Sequence, residues 1–127
     1  AVATALIAAD GIDSDFERRS ALQAAAASAV PFADAAYLRT ADGIDSDFER
    51  REALRALIDA AAPSVERSRG IVQSLSGMSS DFERSAVLVA LAARMPKDAG
   101  LIADYRAAAR RLGDYERGQA EQALDRF

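Results

Sequence analysis

The chain of 127 residues contains no cysteine, no histidine and no tryptophan, and Lys97 is its single lysine. Because cysteine and histidine are absent, disulfide bonds, thiol catalysis, zinc-finger ligation and Ser-His or Cys-His catalytic pairs are excluded. The 16 basic and 20 acidic residues give a formal net charge of −4. Nucleic-acid binding needs a basic surplus on one face, so we predict no nucleic-acid partner.

Long apolar segments are missing as well. No apolar run approaches the roughly 18 residues that a membrane-spanning helix needs, so we predict no membrane insertion by this segment. The chain opens at Ala1 within an apolar helical pattern, with no initiator methionine and no basic leader region. We therefore expect it to be a fragment of a longer protein.

The most informative feature is an internal repeat. The phrase GIDSDFERR occurs at residues 11–19 and again at 43–51, returns as GMSSDFERS at 77–85, and has a weaker copy, LGDYERG, at 112–118. The central Asp of each copy sets the period at 32, 34 and 33 residues: Asp15, Asp47, Asp81 and Asp114. Such a period is typical of stacked pairs of helices.

The period predicts an all-α fold, an α-solenoid of four helix-turn-helix repeats. We expect one domain over residues 1–127, with repeats at about 1–30, 31–62, 63–95 and 96–127. The eight expected helices are at about residues 2–10, 15–29, 32–42, 47–61, 64–76, 81–94, 98–112 and 114–126. Glycines at 11, 43, 77 and 113 are expected to end the first helix of each pair in a left-handed conformation.

Each of the first three phrases carries a helix-start signal. A serine followed three residues later by glutamate is a capping box, in which the serine hydroxyl accepts the amide of the third helical residue and the glutamate reaches back. The predicted capping pairs, which are structural, are Ser14 with Glu17, Ser46 with Glu49, and Ser80 with Glu83. The Asp after each serine lies in the first turn, where the helix dipole favours negative charge.

Two further sets of residues recur with the phrase. One aromatic residue stands at the second helical position of each copy, where we expect it to be buried against a neighbouring helix: Phe16, Phe48, Phe82 and Tyr115. The alternative is that these rings line a groove that binds a peptide. One arginine follows three residues after each central Asp and can pair with it along the helix: Arg18, Arg50, Arg84 and Arg117.

The arginines are the candidate binding residues. They could form a ladder that holds a carboxylate-bearing peptide, because arginine binds planar anions with two hydrogen bonds. The alternative is a network of ion pairs within and between repeats. Arg106 and Arg110 belong to the one locally basic stretch, which is either a solvated helix face or a second anion site.

The acidic clusters suggest a calcium loop at first sight. An EF-hand, however, needs glycine at the sixth position and glutamate at the twelfth, and counting from Asp13 these positions hold Arg18 and Ala24. We therefore assign the carboxylates to helix capping and predict no metal, no cofactor and no catalytic residue.

The phrase Ile-x-Ser-Asp-Phe/Tyr-Glu-Arg, followed by an Ala-Leu or Val-Leu pair, resembles a degenerate helical repeat. That repeat occurs in extracytoplasmic parts of bacterial membrane-anchored proteins, including β-lactam-sensor-like metallopeptidase transducers. The architecture also resembles that of tetratricopeptide repeats, although their Trp and Leu-Gly signature is absent. The resemblance implies a periplasmic location and a partner-binding or sensory role, and no peptidase motif carries over because histidine is absent.

The expected function is a non-catalytic helical-repeat scaffold that binds another protein or a peptide. The alternative is a sensory domain of a bacterial envelope signalling protein that binds a small anion. An exposed first repeat could also support a homodimer across the open end of the solenoid.

Overall fold

The computed structural model describes residues 14–27, 34–60 and 62–126. Within these ranges the chain is all-α, as predicted, with seven helices and no strand. The helices are α1 (Asp15–Ala27), α2 (Asp34–Asp42), α3 (Asp47–Ala60), α4 (Val65–Ser74), α5 (Asp81–Ala92), α6 (Ala99–Arg110) and α7 (Asp114–Arg126). A 3-10 turn, Leu75–Gly77, extends α4. The helix predicted at residues 2–10 lies outside the described residues.

Local signals explain where the helices begin. The helices α1, α3, α5 and α7 start at the central Asp of the four copies of the phrase. Side-chain caps also lie at the starts of α4 and α6, the first helices of the third and fourth hairpins. The Ser64 hydroxyl accepts the Arg67 amide at 3.1 Å before α4, and the Asp98 carboxylate accepts the Leu101 amide at 2.9 Å before α6.

The predicted left-handed caps at Gly43, Gly77 and Gly113 are wrong, since no glycine among the described residues has a positive φ, and Gly11 lies outside these residues. The first helices of the second, third and fourth hairpins end in a tightened turn instead, in which an amide bonds the carbonyl three residues back. Examples are Ile44 N–H to Ala41, Met78 N–H to Leu75 and Leu112 N–H to Ala109, at 3.0, 3.0 and 3.1 Å. At Gly43 a Cβ would lie 3.1 Å from an Arg18 nitrogen, so glycine there makes room for a side chain.

The chain divides into two compact units, Ala1–Ala61 (unit 1) and Ala62–Phe127 (unit 2). The division falls between the second and third copies of the repeat. In unit 1, α1 and α3 pack side by side and α2 lies against both. In unit 2, α5 and α7 pack side by side, and α6 contacts α4, α5 and α7.

Each unit has its own apolar core. In unit 1 it is built from the apolar faces of α1 and α3 together with Tyr37, Ala41 and Ile44, which are buried. In unit 2 the matching residues of α5 are joined by Ile71, Val72, Leu101, Tyr105 and Leu124. The buried residues on the apolar faces of α1, α3 and α5 are Leu22, Ala25, Ala53, Leu54, Leu57, Ile58, Val87, Leu88, Leu91 and Ala92.

Candidate interaction surface

The serines of the repeated phrase lie one residue before α1, α3 and α5 and cap these helices. Their hydroxyl oxygens accept the amide three residues ahead at 3.2 to 3.3 Å: Glu17 to Ser14, Glu49 to Ser46 and Glu83 to Ser80. A serine in this position satisfies one of the amides that a helix start leaves without a partner. The cap thereby fixes the residue at which each helix begins.

The central Asp has a role that reaches into the next repeat. The Asp15 carboxylate accepts the Ser46 N–H at 2.8 Å, and the Asp81 carboxylate accepts the Gly113 N–H at 3.0 Å. Both amides belong to the residue that precedes the next repeat's second helix. These bonds set the starts of α1 and α3 side by side in unit 1, and those of α5 and α7 in unit 2.

The reciprocal half of the predicted capping box is wrong at Ser46. Its N–H donates to Asp15, and the Glu49 carboxylate instead bonds Arg19 Nε at 2.7 Å. Both side chains of this pair are mostly buried, with 18% and 16% of their surface exposed. A carboxylate from the preceding repeat reaches the amide because adjacent helices start together, which local spacing alone does not reveal.

The four recurring arginines bond within their own unit. Arg18 donates to the Gly43 carbonyl and Arg84 to the Met78 carbonyl. Arg50, which is 6% exposed, donates to Asp42 at 2.8 Å. Arg117 bonds Asp114 at 3.0 Å, as the spacing predicts, and Arg84 lies 3.7 Å from Asp81. The arrangement matches the ion-pair network more closely than an anion-binding ladder.

Arg106 and Arg110 are exposed on α6. They border a cleft of about 280 Å³ between α6 and α7, whose other charged lining residues are Glu121 and Asp125. A small anion in this cleft would meet two carboxylates as well as two guanidinium groups. The mixed charge favours the interpretation of this stretch as a solvated face.

The aromatic residue of each repeat is exposed, so the prediction that it is buried is wrong. The exposed fractions are 58%, 48%, 64% and 74% for Phe16, Phe48, Phe82 and Tyr115. The helical period explains this result. Phe48 precedes the buried Leu57 by nine residues, or two and a half turns, and so lies on the opposite side of the helix.

Unit 1 covers its exposed rings with its own cations. The guanidinium carbon of Arg19 lies 4.8 Å from the centre of the Phe16 ring, and that of Arg51 lies 4.8 Å from the centre of the Phe48 ring. In unit 2 the residues three positions after the aromatic are Ser85 and Gly118. Within the described part of unit 2, no cation lies over either ring.

Two buried tyrosines, whose equivalence the sequence reasoning missed, close the hairpins. The Tyr37 hydroxyl donates to the Ala53 carbonyl at 2.6 Å, and the Tyr105 hydroxyl donates to the Ala120 carbonyl at 2.7 Å. Burial raises the pKa of Tyr105 above its ordinary value. The signal was present in the sequence, because these tyrosines stand ten and nine residues before the central Asp of repeats two and four.

Unit 2 also has a cavity of about 300 Å³ bordered by α4, α5 and α6. Its lining combines apolar groups such as Val72 and Leu88 with Arg84, Asp104 and Arg111. Arg84 already donates to the Met78 carbonyl, and Asp104 bonds Arg69 at 3.0 Å. The polar groups of this cavity are therefore partly engaged in holding the helices.

Among the described residues, no group of three or more acids is placed to hold a metal ion. Asp13, the first position of the calcium loop considered above, lies outside these residues. The described helices include none that is long and apolar enough to cross a membrane. Comparison with models of protein families, with curated proteins and with solved structures finds no match.

Proposed function

We propose that the chain is a non-catalytic helical-repeat scaffold that binds another protein or a peptide through the exposed aromatic rings at the starts of its second helices. In this proposal the four hairpins stack as an α-solenoid, and the segment works in the bacterial periplasm, as its resemblance implies. The bonds between successive repeats inside each unit support stacking, since the same Asp-to-amide bond occurs in both.

The exposure of Phe16, Phe48, Phe82 and Tyr115 carries the proposal. Full burial of an exposed aromatic side chain contributes about 1.5–3 kcal/mol, and these rings, which are 48% to 74% exposed, leave roughly half or more of that for a partner to recover. Aromatic side chains also dominate the energetics of protein interfaces. The rings stand beside caps and inter-repeat bonds that hold their helices, so a partner meets a preorganised surface.

A sensory domain that binds a small anion is the second candidate. It is favoured by the exposed pair Arg106 and Arg110, which border a cleft. The carboxylates of Glu121 and Asp125 in the same cleft weaken its attraction for an anion.

Selection of a random displayed peptide library against the full chain tests the proposal. We expect selected peptides whose Kd rises at least tenfold in a variant with alanine at all four aromatic positions. The control is Val89→Ala, which removes another exposed apolar side chain, two turns after Phe82 along α5, and should change the Kd much less than loss of the four rings. Equal binding by both variants would contradict the proposal.

A thermal-shift screen with inorganic anions and peptidoglycan fragments separates the second candidate. Stabilisation that is lost in Arg106→Ala and Arg110→Ala would support it. Stabilisation that survives both substitutions would place the anion elsewhere and count against the cleft.

A further inference from the structure

Unit 1 shows which chemical group these aromatic rings accept. Arg19 and Arg51 each lie over a phenylalanine three residues earlier on the same helix, at 4.8 Å from the ring centre. A guanidinium group at this distance is attracted by the negative face of the ring. The rings of unit 1 therefore have a ligand within their own chain.

Unit 2 presents the same ring position without that ligand. Ser85 stands where the arginine would be after Phe82, and its hydroxyl donates back to the Phe82 carbonyl at 2.9 Å. Gly118 stands there after Tyr115, and a Cβ added to it meets nothing within 4 Å. The two rings are 64% and 74% exposed, more than either ring of unit 1.

The charges beside the unit 2 rings favour a cation. Each ring is flanked in sequence by two acids, Asp81 and Glu83 around Phe82, and Asp114 and Glu116 around Tyr115. One arginine, two residues after each ring, pairs with the acid before that ring, Arg84 with Asp81 and Arg117 with Asp114. Two acids against one arginine leave a net charge of −1 beside each ring.

The two rings lie at one edge of unit 2. The bond from the Gly113 N–H to the Asp81 carboxylate, at 3.0 Å, sets the starts of α5 and α7 side by side. Phe82 and Tyr115 are each the second residue of their helix. A short segment of a partner can therefore reach both rings.

From this geometry we infer that Phe82 and Tyr115, the open ring pair, bind arginine side chains of a partner protein segment. This inference rests on the proposed scaffold function and specifies the chemistry of its partner. Arginine is preferred over lysine because its planar guanidinium group stacks on an aromatic face, as Arg19 and Arg51 do in unit 1. The acids beside the rings attract the positive charge.

An NMR titration of the full chain with two matched peptides tests the inference. The probe is a glycine-spaced peptide with two arginines, and its control has citrulline at both positions, which keeps the shape and removes the charge. We expect the arginine peptide to shift the ring signals of Phe82 and Tyr115, and to bind at least tenfold more tightly than the citrulline peptide. Equal affinities, or shifts centred on Phe16 and Phe48, would overturn the inference.

Filling the open position with an arginine of the chain itself provides the second test. Gly118→Arg places a guanidinium group three residues after Tyr115, as in unit 1, and has open space around it. We expect it to abolish the shift of Tyr115 and to weaken the arginine peptide at least fivefold, whereas Gly118→Ala, the matched control, should bind as the original chain does. Unchanged binding by Gly118→Arg would overturn the inference.

The two proposals fail separately. Library peptides that need the aromatic rings but contain no enrichment in arginine would leave the scaffold function standing and overturn the inference. Arginine-rich peptides that bind the alanine variant of all four rings as well as the original chain would contradict both proposals.

Discussion

Unit 1 and unit 2 share two kinds of hydrogen bond between helices and differ at one surface. In both, a buried tyrosine hydroxyl bonds an alanine carbonyl of the same hairpin, at 2.6 and 2.7 Å. In both, the central Asp of one repeat bonds the amide that precedes the next second helix. Only unit 1, among the described residues, places arginines over its exposed rings.

The features that the units share indicate what folding requires, and the features that differ indicate which changes folding tolerates. These two kinds of bond recur because each satisfies a polar group at a place where two helices meet. The arginine over the ring is absent from unit 2, and the same helices form there with Ser85 and Gly118 in its place. Positions that differ between the units while the helices stay the same are the ones where binding properties can differ.

The largest expected effect tests whether the two cores are equivalent. Leu57 and Leu91 hold the same position in their repeats and are both fully buried. Replacing either by alanine should lower the free energy of unfolding by roughly 2–5 kcal/mol, because a cavity is left behind. Urea denaturation measures this loss, and amide hydrogen exchange should show protection lost first in the unit that carries the change. A loss at one position and none at the other would break the equivalence.

Removing the hydroxyl group of either buried tyrosine tests whether its hydrogen bond stabilises the two units equally. Tyr37→Phe and Tyr105→Phe should each lower the free energy of unfolding by about 1 kcal/mol, because each removes one buried donor. Equal losses by urea denaturation would support equivalent roles in the two units. The control is Tyr115→Phe, whose hydroxyl is on an exposed ring and whose loss should change little.

The burial of Tyr105 also predicts that the free energy of unfolding depends on pH. Burial raises its pKa in the folded chain, so the unfolded chain loses this proton first as the pH rises. The stability that the raised pKa of Tyr105 gives the folded chain is fully present below the ordinary tyrosine pKa of about 10 and is lost as the pH rises above it. Unfolding measured between about pH 8 and pH 11 should show the decline, and Tyr105→Phe should make it shallower. An equally steep decline in that variant would contradict the assignment.

The inter-repeat aspartates should have a smaller effect that differs between the units. Asp15→Ala removes the acceptor of the partly buried Ser46 amide and should lower the free energy of unfolding by about 1 kcal/mol. Asp81→Ala removes the acceptor of the Gly113 amide, which is exposed and can bond water instead, so its loss should be smaller. Chemical denaturation of both variants measures the difference. Asp15→Asn, which keeps an acceptor oxygen, should recover part of the loss. A larger loss at Asp81 would reverse this ranking.

The smallest expected effect is a gain. Gly118 lies inside α7, and a Cβ added there meets nothing within 4 Å. Gly118→Ala should therefore raise the free energy of unfolding by about 0.5–1 kcal/mol, because alanine loses less backbone freedom when the helix forms. A thermal melt with a higher midpoint would verify it. A lower midpoint would show that glycine is required at this position.

Parts of the surface could be predicted from the sequence. The serines and the repeat spacing identify helix starts because a cap and its amide are three residues apart. The exposure of Phe48 was predictable in principle, since it lies half a helix turn out of phase with Leu57. The partners of Asp15 and Arg19 were not, because Ser46 and Glu49 are about one repeat away and meet them only after packing.

By itself the sequence determined the all-α class, the period and the starts of the second helices, because each depends on contacts between residues within a turn or two of one another. Tertiary structure alone decided that Asp15 and Asp81 each accept an amide of the next repeat, and that Arg18 and Arg19 bond residues of the next repeat. Those outcomes depend on which helix surfaces meet, and distant segments meet only when burial of the apolar stripes brings them together.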